Sequence, residues 1–154
     1  MEEFMRLAVD EARKGMKKKE GGPFGAVIVR NGKVIAKGHN RVLKTNDPTE
    51  HAEIDTIRKA SRKLKSFDLS DCELYSSCEP CPMCLGAIIW ARIKTVYYGS
   101  TRDDAKRGGF ADKDIYDVLE KKPKRHIVHM KQLNIRECDA LFDEWNKMKG
   151  KKIY

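Results

Sequence analysis

The sequence predicts an α/β protein, a three-layer α/β/α sandwich around a central mixed sheet of five strands. Two observations predict it. From residue 47 onward, helical segments alternate with strand-length segments, which requires crossover connections and a partly parallel sheet. Before that point, two strand-like segments flank Asn31-Gly32, the dipeptide that most strongly favours a two-residue hairpin, so the first pair is antiparallel.

Each element has its own signal. Phe4, Ala8, Ala12 and Met16 recur at near-helical spacing and place a helix over 3–18. Gly21-Gly22-Pro23 ends it. Residues 25–30 (Gly-Ala-Val-Ile-Val-Arg) and 33–38 form the hairpin. Asp47-Pro48-Thr49-Glu50 reads as a helix start: Asp47 caps, Pro48 suits the first helical position, and Glu50 closes a capping box. That helix runs to about Leu64. A strand follows over 72–76, then a helix opened by Pro82 and lasting to about Ala91, then a strand over 95–99. Beyond it the pattern gives a helix over 112–120, a short strand over 126–130 and a helix over 136–148. No internal repeat, low-complexity tract or linker interrupts residues 1–154, which read as a single domain.

A chain of 154 residues can bury a core without disulfide staples. With 40% hydrophobic and 36% charged residues, it is neither collagen-like nor mostly disordered. No apolar run reaches membrane-spanning length. The acidic start, Met1-Glu2-Glu3-Phe4, lacks a secretory pattern, so the expected location is the cytoplasm. Five cysteines, an odd number and partly clustered, point to metal binding before disulfides. The net charge is +9, and residues 121–154 hold ten Lys/Arg against four Asp/Glu. A basic face of this kind can attract nucleic acid. The plainer reading, a solvated Lys-rich surface, is favoured, because a single Gln among many Lys and Glu resembles hyperthermophile composition.

The chemistry concentrates in two short segments. His51-Ala52-Glu53 lies in the first turn of one helix, and Pro80-Cys81-Pro82-Met83-Cys84 opens the next. Cys81 and Cys84 are three apart and share a helix face. A helix N-terminus favours thiolates, the form that binds zinc. One imidazole and two thiolates make the three protein ligands of a catalytic zinc, with a fourth position open to water. One zinc ion per chain is expected. Two thiolates cancel the formal charge of Zn²⁺, so the site acidifies its water less than an all-histidine site and needs a nearby base. Glu53 can take that proton and hand it on. On the side of a helix, residues two apart point nearly opposite ways, so His51 and Glu53 can share a site only if their helix approaches end-on. Cys78, three residues before Cys81, could complete a closed Cys₃His structural site. It precedes Glu79-Pro80, where strand turns into helix, and a closed site would leave Glu53 no task. Both points favour Cys78 as a pocket or packing residue. Cys72 and Cys138 read as small apolar packing groups.

The order H-x-E…P-C-x-x-C is the signature of the zinc deaminases. The chain resembles the cytidine deaminase superfamily, and within it the bacterial-type guanine deaminases, over nearly its whole length. The resemblance rests on Gly22-Pro23-Phe24-Gly25-Ala26-Val27, on Asn46 to Glu53, on Ser77 to Ile88, and on Trp90-Ala91-Arg92. The first three blocks are shared, with variations, by tRNA adenosine deaminases. Cys78 before Glu-Pro-Cys, the segment Gly109 to Tyr116 and the terminal Tyr154 lean towards guanine deaminases. Ala111 departs from their first Asp in that segment, and the terminal region is shorter and more basic. The resemblance implies a cytidine-deaminase-like fold, with Phe24 stacking on the base and Asn40, Asp112 and Tyr154 binding the purine. It implies water attack at C2 of guanine, giving xanthine and ammonia. It also implies a homodimer, with exchange of the segment at about 121–154 between subunits as one route. Three rivals remain. One is a tRNA deaminase acting on the wobble adenosine, which would use the cluster Lys121-Lys122-Pro123-Lys124-Arg125. Another is a deaminase of a different small heterocycle, such as cytosine or a triazine. The last is a non-catalytic, zinc-stabilised nucleic-acid-binding module.

Overall fold

In the computed structural model, residues 1–110 and 112–120 are described. The elements are α1 (Glu2–Lys17), β1 (Gly25–Arg30), β2 (Lys33–His39), α2 (Val42–Thr45), α3 (Ala52–Leu64), β3 (Glu73–Cys78), α4 (Pro82–Trp90), β4 (Thr95–Ser100), α5 (Arg102–Arg107) and α6 (Lys113–Leu119). The strands form one mixed sheet in the order β2-β1-β3-β4. β1 is antiparallel to both neighbours, and β3 and β4 are parallel. Among the described residues the sheet has four strands; the segment expected as the fifth, 126–130, lies outside them, as do the expected helix 136–148, Cys138 and the cluster Lys121–Arg125. No helix among the described residues is long and apolar enough to cross a membrane.

Alternation along the strands builds the three layers. Val27, Val29, Tyr75 and Tyr97 point to one face and pack with Phe4, Met5, Leu7 and Ala8 of α1. Ile28, Leu74 and Val96 point to the other and pack with Ile57 and Ala60 of α3 and Ile88 of α4. Cys72 is buried in that second cluster, as expected of a small apolar group. The hairpin turns at Asn31 and Gly32 with φ of 50° and 71°, the left-handed pair that a two-residue turn needs. The register slips between Ile28 and Val29, so Ile35 is an extra residue on β2. That bulge explains why consecutive residues Ile35 and Ala36 both pack on the α3 side.

The start of α3 differs from the sequence expectation. Asp47 does not cap it. Its Oδ1 accepts from the Thr49 amide at 2.8 Å and hydroxyl at 2.7 Å, forming a local turn. Glu50 closes no capping box. One of its oxygens accepts from the Arg58 guanidinium, and the other faces Arg41 at 3.6 Å. The helix begins at Ala52 with His51 as its N-cap residue.

Gly25 sets the distance between α1 and the sheet. A Cβ there would lie 2.1 Å from the Ala8 carbonyl oxygen and 2.5 Å from the Ala12 amide. Only a residue without a Cβ lets the helix backbone come so close. Gly25→Ala should therefore destabilise the fold by roughly 1–3 kcal/mol, read as a lower urea midpoint. An unchanged midpoint would mean that α1 is not held against β1 in this way.

Candidate active site

One edge of the sheet collects the candidate residues. β1 runs opposite to its neighbours, so its start lies beside the ends of β2 and β3; Gly25 pairs with His39, and Ala26 with Ser76. Phe24, Asn40 and Ser76 to Cys78 therefore emerge together. Two helix N-termini point at the same place. His51 is the N-cap of α3, with Glu53 in its first turn. Cys81 is the N-cap of α4, with Cys84 in its first turn. Both helices approach end-on, which satisfies the condition for His51 and Glu53 to share a site.

His51 Nδ1 lies 3.6 Å from Cys81 Sγ and 3.6 Å from Cys84 Sγ. The three donor atoms all fall within 4.8 Å of one another, and among the described residues no fourth His, Cys or carboxylate joins them. A tetrahedral zinc with Zn–N near 2.0–2.1 Å and Zn–S near 2.3 Å holds its N and S ligands about 3.6 Å apart. The spacing and the chemistry of the donors thus fit a zinc ion. Cys78 stands apart: its thiol donates to the Thr101 carbonyl at 3.6 Å, and burial pushes it up to about 11.

Hydrogen bonds from Cys84 and His51 push the Cys81 thiol down to about 4, the form in which sulfur binds a metal. The same contact with Cys81 and burial push the Cys84 thiol up. The Cys81 thiolate likewise raises His51. Glu53 is 5% exposed, and burial pushes its carboxyl up. Its Oε1 accepts from the Ser76 hydroxyl at 3.0 Å, and its Oε2 from the Cys84 thiol at 3.4 Å.

A cleft of about 640 Å³ opens onto this cluster. His51, Glu53 and Cys81 line its base, and Phe24, Asn40 and Asp112 line its walls. The Asn40 side chain has a fixed orientation. Its Oδ1 accepts from the Gly22 amide at 3.3 Å and the Val42 amide at 3.2 Å. Two amide donors on one atom assign it as the oxygen, which leaves the NH₂ as the group free to contact a ligand. Gly21 completes this lock, because a Cβ there would lie 2.1 Å from Asn40 Oδ1. Phe24 meets Phe110 edge-on, ring centres 4.9 Å apart. Asp112 is the N-cap of α6 but its side chain caps nothing, and burial raises its carboxyl. Tyr154 lies outside the described residues. Sequence reasoning missed Ser76, Phe110 and the rim residues Val42 and Leu43. Phe110 had a signal, its place in the Gly109–Tyr116 segment; Ser76 had none.

Residues 1–100 match the family described as the cytidine and deoxycytidylate deaminase zinc-binding region. The chain belongs to that family. Guanine deaminase of Bacillus subtilis is 46% identical over 99% of this chain and 98% of its own length. The X-ray structure of the Bacillus subtilis guanine deaminase superposes with a TM-score of 0.94 at 46% identity, covering 99% of this chain and 98% of that one. The tRNA-specific adenosine deaminase of Aquifex aeolicus is 36% identical over 95% of this chain and 93% of its own. The α/β fold is that of the guanine deaminase structure. As a member of the deaminase family, the chain is a hydrolytic nucleobase deaminase with zinc as its metal.

Zinc binding should be pH-dependent, because an imidazole and two thiols serve as ligands only once deprotonated. Affinity therefore rises with pH, by about tenfold per unit for each proton displaced. Competition against a chelator between pH 6 and 8 measures this, and a flat affinity would contradict thiol ligation. In metal analysis, Cys84→Ala should lose zinc while Cys78→Ala keeps one ion per chain. Loss of zinc from the Cys78 variant would make it a ligand.

Proposed function

We propose that the chain is a guanine deaminase, converting guanine and water to xanthine and ammonia. The observation that carries this reading is the polarity of the cleft above the zinc-ligand cluster. Asn40 offers only its NH₂ there, and Asp112 offers a carboxyl. A guanine ring presents acceptors to the first and its ring N–H and amino donors to the second. Polar groups buried in this way discriminate strongly, because a wrong base leaves them unpaired. Phe24 supplies an apolar face for the ring, steadied by the edge of Phe110. Full-length similarity to a guanine deaminase supports the same substrate. The resemblance also supports a homodimer and a pocket role for Tyr154.

His51, Cys81 and Cys84 are the zinc ligands in this reading. When bound, zinc supplies the Lewis acidity that makes water a nucleophile near neutral pH. Glu53 moves the protons. It carries the two protons of the attacking water in turn, the first to the ring nitrogen as the C2–O bond forms, the second to the amine as the C2–N bond breaks and ammonia leaves. A buried carboxyl raised above its ordinary range is suited to hold a proton and give it up again.

The test is ammonia release by the zinc-loaded protein from guanine, adenine, cytosine, a triazine amine and a tRNA carrying a wobble adenosine. Guanine alone should react. Glu53→Gln should keep one zinc per chain and lower kcat by at least about a hundredfold. Asp112→Ala should lower kcat/KM for guanine about ten- to hundredfold with zinc unchanged. Release from the tRNA alone would overturn the substrate, and normal turnover by Glu53→Gln would overturn the role of Glu53.

A further inference from the structure

We propose that Ser76 is the positioning residue for the Glu53 carboxylate, pinning Oε1 so that Oε2 is presented to the reacting centre. The inference rests on Glu53 as the proton carrier. β3 alternates, so Tyr75 faces α1 while Ser76 turns towards α3 and α4, on the same side as Leu74. Ser76 is 2% exposed, and burying an unpaired hydroxyl is costly. Its hydroxyl donates to Glu53 Oε1 at 3.0 Å, a buried hydrogen bond between residues 23 positions apart. The pairing is built by the sheet: Ser76 sits opposite Ala26 on β1 and beside Tyr98 on β4, so its backbone is fixed from both sides.

Two side chains donate to the carboxylate, Ser76 to Oε1 and Cys84 to Oε2. The donors differ in strength: the Ser76 hydroxyl lies at 3.0 Å, whereas the Cys84 contact is longer, at 3.4 Å, and a thiol is a weak donor. The Ser76 hydroxyl therefore holds one oxygen of a side chain that could otherwise turn about its last torsion, where rotamer preferences are broad. With Oε1 engaged, Oε2 is left to accept and return protons. Mispositioning of a reacting group by about an ångström can cost two orders of magnitude in rate, so a hydrogen bond that removes one rotational freedom has a visible effect.

Threonine and valine at position 76 have nearly the same shape and differ in the hydroxyl, so they isolate it. Ser76→Thr should retain kcat within about threefold of the parent. Ser76→Val and Ser76→Ala should each lower kcat roughly ten- to hundredfold with KM for guanine within about twofold. Zinc content should stay at one per chain in all three. Glu53→Gln is run beside them. If that variant turns over normally, the role of Glu53 fails and the role of Ser76 falls with it. If it is inactive and Ser76→Val keeps full kcat, Ser76 alone is refuted. Equal losses in the Thr and Val variants, or loss of zinc, would make Ser76 a packing residue and overturn the proposal. The Thr and Val pair decides the matter even if Ser76→Ala fails to fold.

Discussion

Everything in the candidate site depends on two helices ending at one point. The N-termini of α3 and α4 meet at the sheet edge where β1 begins and β3 ends, and each contributes its N-cap residue and one residue of its first turn. This arrangement solves an electrostatic problem. The site gathers two thiols and a carboxyl in a buried space, where their charged forms are costly. The positive ends of two helix dipoles offset part of that cost. The cation the donors are spaced to hold offsets more. His51 makes no side-chain capping bond, although it occupies a position where one would be expected. Its ring turns instead to the Cys81 sulfur.

The sequence carried those parts that repeat a local rule. β1 was legible to the residue, because its apolar run ends at an Asn-Gly turn with only one favourable geometry. α4 was legible because Pro82 can stand only at a helix start. The beginning of α3 was misread for a physical reason. An Asp that caps a helix and an Asp that closes a local turn both accept from a backbone amide two or three residues on, and Asp47-Pro48-Thr49 suits either. The structure chose the turn, and that choice moves the N-cap to His51 and the helix start to Ala52. α2 and α5, of four and six residues, are too short to show a period. In the site, His51, Glu53, Cys81 and Cys84 were visible as a spaced motif. Ser76 was not, because a lone Ser in a strand looks like any surface residue until the sheet register shows which way it faces.

The cleft wall is held by a strap that no motif announces. His39, at the end of β2 and next to Asn40, lies between two carboxylates: Glu11 of α1 at 3.2 Å and Glu20 at 2.7 Å. Glu20 is held down to about 2, chiefly by its hydrogen bond to His39, and Glu11 is also lowered. The Glu20 carbonyl in turn accepts from the Leu43 and Lys44 amides. The chain around Gly21 and Gly22 is thereby tied to β2 on one side and to α2 on the other, and these are the segments that grip the Asn40 oxygen.

That grip bears on how the cleft selects a ligand. A free asparagine side chain can flip and present either its oxygen or its NH₂, so by itself it distinguishes little. Here the backbone amides of Gly22 and Val42 remove the choice, and the discrimination is fixed before any ligand arrives. The ordering entropy of the wall is met during folding and not during binding, which is the condition for a small polar site to be both tight and selective. The same logic governs both ends of the cleft. At one end two main-chain amides set what Asn40 can offer; at the other, Ser76 and two helix N-termini set which atoms of Glu53, His51 and the cysteines face the reacting centre. The chemistry is carried by side chains, but the backbone of one sheet edge decides how each of them is presented.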